Sequence, residues 1–310
     1  MKAYYCDQFV LPLPPTHSFP MRKYERLRER VLAEGTLRPE DLVVPEPVGL
    51  DDLRLAHTAA YVDAVLSGTL SPEHQRRIGF PWSPGMVERS RRSVGATIAA
   101  AFRAREEGVA VNLAGGTHHA FADRGEGYCV FNDIAVATRM LVRHDPALTI
   151  AVVDCDVHQG NGTAAIFRGD PAVFTFSIHG EKNYPFRKET SDLDIALPDG
   201  TGDDEYLRRL DEALDIVFDW RPRMVFYVAG ADPYEGDRLG RLRLTMAGLR
   251  ERDRRVFARC RSLPVAVVMG GGYCPDVDAT ARIHATTVLE ATALAPARAE
   301  TDGEAPCPCS

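Results

Sequence analysis

Asp154, Asp156 and His158 occupy alternate positions in VVDCDVHQGNG (152–162), where an apolar run breaks into charge. Strand alternation would turn these three side chains one way and Ala151, Val153, Cys155 and Val157 the other. Two carboxylates side by side in a low-dielectric setting are costly unless a cation or hydrogen bonds compensate them. A metal ion would do so. The plainer alternative is an Asp pair capping the following helix, with His158 as a loop residue. Three such residues at one strand end favour the metal, and Gln159-Gly160-Asn161-Gly162 then turns the chain toward a helix. Asp232, in AGAD, ends a second run of the same type and offers a third ligand. One imidazole nitrogen and two carboxylate oxygens suit zinc or another divalent transition ion with a position left open for water. An open position implies hydrolysis. A closed structural zinc site would carry Cys-rich spacing, which is absent.

His118 and His119 follow GGT at the end of another apolar run, where imidazoles, which titrate near neutrality, are natural acid/base groups. Adjacent histidines on a loop also occur as plain polar surface. Tyr273 follows Gly270-Gly271-Gly272, and a phenol there could donate a hydrogen bond to a developing oxyanion. GGGY alone carries little weight, since glycine runs also make ordinary turns.

The elements that must position these groups are short apolar runs ending in polar or Gly-rich sequence: 109–119, 149–158, 173–179, 224–232 and 265–273. Consecutive apolar positions are what a parallel strand covered on both faces requires. Helix-like segments with apolar residues three and four apart lie at 84–107, 129–143, 203–220 and 244–262. Strand alternating with helix predicts an α/β protein with a wound sheet, whose ligand site forms at the carboxyl ends of the strands. All the groups above fall there. The Arg-rich GLRERDRRVFARCR (248–261) reads as a solvated helix face, because Glu251 and Asp253 interrupt it. His57, His74 and His144 read as structural; His179 follows the run containing Ser177 and is as readily packing as site.

The chain of 310 residues is 45% hydrophobic and 26% charged, which suits a globular protein with a sizeable core. Residues 1–294 read as a single domain and 295–310 as a flexible tail. A formal net charge of -7 argues against nonspecific attraction to nucleic acid or an anionic membrane. MKAYYCDQFVLPLPP has neither a basic n-region nor an uninterrupted apolar h-region, and no segment offers the roughly 18 apolar residues of a membrane span, so the cytoplasm is expected. Seven cysteines, scattered through apolar runs, suit reduced core thiols better than a disulfide framework. Cys307 and Cys309, in EAPCPCS, read as part of the tail, with metal binding or oxidant response as the alternative.

Taken in order, GGTHHA (115–120), GYCVFND (127–133), DCDVHQGNGT (154–163), GADPYEGDRLG (230–240) and GGGY (270–273) resemble the zinc-dependent histone deacetylase family. HQGNG and GDRLG most resemble its class IV branch and bacterial relatives. The resemblance implies the three-layer arginase/deacetylase fold, a mainly parallel sheet of about eight strands flanked by helices. It implies Zn2+ on Asp156, His158 and Asp232, His118 and His119 as the tandem histidines, and Tyr273 as the carbonyl-polarising tyrosine. His119 is then the better acid/base candidate, with His118 giving electrostatic support. Asp154 would orient His118 and, with Asp156, His158, Ser177 and Ile178, resemble the family's inner K+ site. Gly127 and Tyr128 resemble the tunnel wall. Class I relatives place an Asp opposite the second histidine, whereas the matching residue here is Asn161, which would orient His119 without raising its basicity. Leu239 stands where polyamine deacetylases resembling this family carry an acidic gatekeeper. The aspartate that grips the substrate backbone in class I has no clear match in GFPWSPGMVERS (79–90).

The expected activity is therefore a metal-dependent amidohydrolase acting on acyl-lysine of a protein or peptide. Long-chain acyl groups are in view because the class IV branch is associated with fatty-acyl removal. The runner-up is a deacetylase of small acetylated amines or acetylpolyamines. A binuclear manganese ureohydrolase would need a DxHxD run, whereas DxDxH is present. A noncatalytic acyl-lysine reader should lack one of the catalytic side chains.

Overall fold

The structure is a computed structural model that describes residues 1–14 and 17–295. Eight strands form one sheet in the order β2-β1-β3-β8-β7-β4-β5-β6, every neighbouring pair parallel. They are β1 (Lys2–Tyr4), β2 (Leu42–Val43), β3 (Val109–Asn112), β4 (Ile150–Asp154), β5 (Val173–Gly180), β6 (Leu193–Leu197), β7 (Met224–Val228) and β8 (Val265–Val268). Ten α-helices complete the layers: α1 (Lys23–Ala33), α2 (Leu50–Leu53), α3 (Ala59–Ser67), α4 (Pro72–Ile78), α5 (Pro84–Glu107), α6 (Asp133–His144), α7 (Asn161–Phe167), α8 (Asp203–Asp219), α9 (Met246–Arg259) and α10 (Val277–Thr292).

The central strands are apolar up to their carboxyl-terminal residues, Asn112 on β3 and Asp154 on β4, because each face meets its own helical layer. On β4 and β7, Ala151, Val153, Val225 and Tyr227 join the core with α8, α9 and α10, while Ile150, Val152, Met224 and Phe226 join the core with α5 and α6. Full burial of such a Val, Ile, Met or Phe side chain contributes about 1.5–3 kcal/mol. The five runs read from sequence are β3, β4, β5, β7 and β8. β2 and β6 at the sheet edges, and β1 beside β2, escaped that reading: β1 and β2 have three and two residues, while β6 (LDIAL) carries an Asp within its run and buries Leu197 alone.

β4 ends at Asp154, so Asp156 and His158 lie beyond the last paired residue rather than within the strand. Alternation nonetheless persists through the bend, with Cys155 and Val157 in the same core as Val153. No helix among the described residues is long and apolar enough to cross a membrane. Cys6, Cys129, Cys155, Cys260 and Cys274 are buried and unpaired, whereas Cys307 and Cys309 lie outside the described residues.

Candidate metal centre

The adjacent central strands β3, β8, β7 and β4 end side by side, and the segments leaving them supply the chemical groups. Asp156, His158 and Asp232 are buried, and one ligand atom of each lies within 4.8 Å of the others. His158 Nδ1 sits 3.0 Å from Asp156 Oδ1 and 3.1 Å from Asp232 Oδ2. Those spacings approach the ~3.3 Å edge of a tetrahedron built on metal–ligand bonds of about 2.0–2.1 Å. Burial opposes protonation of His158, yet the two carboxylates outweigh it and raise the imidazole to about 10. Burial, reinforced by the Asp156 charge, raises Asp232 to about 7. Two buried carboxylates aimed at one nitrogen have the chemistry of a divalent-cation site. The helix-capping alternative does not hold, because α7 begins at Gly160 without a side-chain cap.

Asp154 stands behind the ligands. Its Oδ2 lies 2.6 Å from His118 Nδ1, and its Oδ1 accepts the Asp156 backbone N–H at 3.1 Å. Register places it opposite Ser177 on β5, next to Ile178. His119 Nδ1 pairs at 2.7 Å with Asn161 Oδ1, an acceptor. Nδ1 therefore carries the proton and Nε2 the lone pair. The two histidines diverge electrostatically. Burial opposes charge on His118, but Asp154 and Asp156 overcome it and raise His118 to about 9. Burial, with the neighbouring charges of His118 and His158, holds His119 well below 6.5.

A tunnel of about 410 Å³ leads to this floor, lined by His119, His158, Gly127, Tyr128, Leu239 and Tyr273. Gly127, Tyr128 and Leu239, the residues expected at the tunnel wall, are among those that line it. Gly127 and Tyr128 both have positive φ, 57° and 66°. Tyrosine in the left-handed region is strained, and the turn is held by Gly127 N–H to Arg77 O at 2.9 Å and Tyr128 N–H to Ile78 O at 2.8 Å. Gly271 is required for a different reason: a Cβ there would fall inside the Asp232 carboxylate.

Several positioning groups carried no readable sequence signal. Asp133, first residue of α6, accepts from the backbone N–H groups of Gly116 and Thr117 at 2.9 and 2.8 Å and so fixes the loop before His118. Asp237 Oδ2 accepts the Tyr273 N–H at 2.6 Å. Lys23 on α1 is buried, and its ammonium points at Gly270 O and Gly272 O, each at 3.3 Å. Tyr184 stacks edge-on to His119 with centroids 5.0 Å apart. Asp133 and Asp237 at least fall within the quoted motifs; Lys23 and Tyr184 lie outside them.

The Arg-rich segment is a correction. It is not wholly a solvated face, because Arg252 and Asp253 are buried. Arg252 Nη1 donates to Gly230 O at 2.6 Å and Cys155 O at 3.3 Å, on the two segments that carry Asp232 and Asp156. The Asp253 carboxylate compensates that charge at 2.8 Å, and i,i+1 charge alternation in the sequence gave no hint of burial. His57 is structural as expected, with Nδ1 donating to Phe121 O at 2.9 Å and Nε2 accepting from Asn132 N–H at 2.9 Å. His179 packs through Ser177 Oγ at 2.9 Å.

Comparison with known proteins agrees with this geometry. The model of the histone deacetylase domain matches residues 17–289. An uncharacterized protein of Picosynechococcus is 48% identical over 276 residues, 88% of this chain and 92% of that protein. Histone deacetylase 2 of Arabidopsis thaliana is 31% identical, with 91% of this chain and 75% of that protein covered. Among solved structures, an HDAC homolog from Aquifex aeolicus superposes with a TM-score of 0.79 at 25% identity, covering 94% of this chain and 84% of that one. With a family model spanning nearly the whole described chain, and its ordered motifs meeting at the ends of one parallel sheet, the chain belongs to the histone deacetylase family.

Proposed function

We propose that this protein is a metal-dependent amidohydrolase of the cytoplasm that removes acetyl or longer acyl groups from lysine side chains, and that residues 1–294 form one catalytic domain of class IV type. The observation that carries this reading is His119, with Nδ1 held by Asn161 Oδ1, beside the three candidate ligands at the foot of a partly aromatic tunnel. Such a tunnel suits an extended aliphatic stem ending in an amide. Held by Asp156, His158 and Asp232, Zn2+ would supply Lewis acidity, polarising a carbonyl and lowering the pKa of water toward ~7.

The chain's own groups then divide the work. His119 Nε2 takes the proton of the attacking water as general base. His118, tied to Asp154 and biased toward the charged form, lends positive charge to the developing oxyanion. The Tyr273 hydroxyl donates a hydrogen bond to the same oxyanion, and protonated His119 delivers its proton to the leaving amine. K+ on Asp154, Asp156, His158, Ser177 and Ile178 would offset the carboxylates from behind.

Hydrolysis of a panel of acyl-lysine peptides, acetylated amines and acetylpolyamines by zinc-loaded protein tests the reading. Cleavage of acyl-lysine peptides is expected. Cleavage confined to the small amines would favour the second reading, whose appeal is the tunnel's modest volume. A bound-metal count of two per chain would instead favour binuclear chemistry.

A further inference from the structure

Resting on the proposed acyl-lysine activity, we infer that the tunnel mouth selects substrates carrying a carboxylate beside the acylated stem. The wall that ends α4 brings Arg76 and Arg77 into the tunnel lining, and no Asp or Glu lines it. Arg77 is spoken for by Glu73 at 2.8 Å, on the exposed face of the same helix. Arg76 is exposed and makes no ion pair among the described residues. Arg238, next to the lining residue Leu239, is held over the same rim. Its Nη2 donates to Ser18 O at 2.6 Å, and the Ser18 hydroxyl lies 2.6 Å from the Tyr128 phenol that lines the tunnel. Arg238 likewise has no carboxylate partner among the described residues.

The carboxylates bonded to the rim are already engaged: Asp237 accepts the backbone N–H groups of Leu239, Gly240 and Tyr273. Glu126 takes Arg124 Nε at 2.9 Å on one oxygen and the Tyr184 hydroxyl at 2.5 Å on the other. The rim therefore holds unpaired positive charge although the whole chain has a formal net charge of -7. The backbone that carries Arg76 is fixed in place, because the end of α4 is clamped to the tunnel turn by the Gly127 and Tyr128 backbone hydrogen bonds to Arg77 and Ile78. Guanidinium groups with no carboxylate partner among the described residues, beside a binding tunnel, favour anionic ligands through charge-assisted hydrogen bonds and steering, and repel a cationic polyamine. The stem fixes where the anion must be: on the backbone side of an acyl-lysine. Either the α-carboxylate of a C-terminal acyl-lysine or a neighbouring Asp or Glu of a peptide meets that requirement.

The test separates these sources, and separates this inference from the proposed activity. Fluorescently labelled acetyl-lysine peptides are prepared in five forms: internal with flanking Asp, Gln or Lys, and C-terminal as free acid or amide. Affinity is read by anisotropy on zinc-loaded protein and hydrolysis by mass spectrometry, at low and high salt. The acidic peptide should bind about 10-fold or more tightly than the Lys-flanked one at low salt, with the gap shrinking as salt rises. The double variant Arg76→Glu/Arg238→Glu should invert the ratio, whereas Arg209→Glu on α8 should leave it at the parent value. If the free acid outperforms the amide while flanking Asp has no effect, the α-carboxylate is the source; the reverse assigns it to the side chains. Equal affinity for acidic, neutral and basic peptides overturns the inference even if all are hydrolysed. Charge-selective binding without hydrolysis supports the inference and sinks the acyl-lysine activity.

Discussion

Arg252→Met tests whether the arginine buried behind the metal ligands anchors them. In the parent, the guanidinium gives Nη1 to the carbonyls of Gly230 and Cys155, while Nε and Nη2 reach Asp253 Oδ1 at 3.0 and 2.8 Å. Methionine of similar length fills the space but removes every donor. The Asp253 carboxylate stays buried, with only the Tyr227 hydroxyl at 2.5 Å and the Thr287 hydroxyl at 2.6 Å to satisfy it. Removing one partner of a buried pair costs about 3–5 kcal/mol. For a chain of this size each kcal/mol moves Tm by roughly 2–4 °C, so a fall of about 6–20 °C is expected. Asp253→Leu added to Arg252→Met removes the stranded charge and should recover at least ~2 kcal/mol. Metal affinity, measured by chelator competition, should fall by about 10–100-fold in the single variant, because the two carbonyls hold the Asp156 and Asp232 segments. Urea titration and thermal melts of metal-free and zinc-loaded protein read both effects. A Tm within ~2 °C of the parent, or a double variant no more stable than the single, would refute the reasoning.

Four other outcomes are expected. His158→Ala should lose stoichiometric zinc and turnover together; hydrolysis surviving in that variant would overturn the ligand assignment. Tyr273→Phe should lower kcat about 10²-fold or more while metal content stays at the parent value, and a smaller loss would remove the phenol from oxyanion stabilisation. Asn161→Asp places a carboxylate against His119 Nδ1, raising its pKa, so the acidic limb of the kcat/KM profile should move to higher pH by about one unit; an unmoved limb would mean that His119 is not the base. Burial depresses His57 from 6.5 to about 4. The unfolded chain takes up the proton first, so this contribution is complete above ~6.5 and lost as pH falls through about 4, by about 2.5 kcal/mol between pH 7 and pH 4.5. Urea unfolding of His57→Gln should lack that component, and a pH dependence identical to the parent's would exclude it.

Much of the site was legible because it lies in contiguous motifs on strands of a simple period. Asp154, Asp156 and His158 sit within five residues of one another, and their alternation with Val153, Cys155 and Val157 survives the bend that ends β4. Tyr273 and the His118-His119 pair follow apolar runs, and a parallel sheet puts all such ends on one edge. The edge strand β2 and its neighbour β1 were not legible, since they have two and three residues, too few to show any periodicity.

Sequence alone determined the fold class, the family resemblance and the residue types around the candidate metal centre, because these depend on local pattern and short spacing. Tertiary structure decided which charges are spent and which are free. Arg252 and Arg76 are both arginines in charged helical segments, yet one is sealed beneath two carbonyls and the other stands at a tunnel mouth. Lys23 reaches the glycine run before Tyr273 across 247 positions of chain to Gly270. No local pattern encodes that, because burial of a charge is settled by which distant acceptors the packed layers bring within reach.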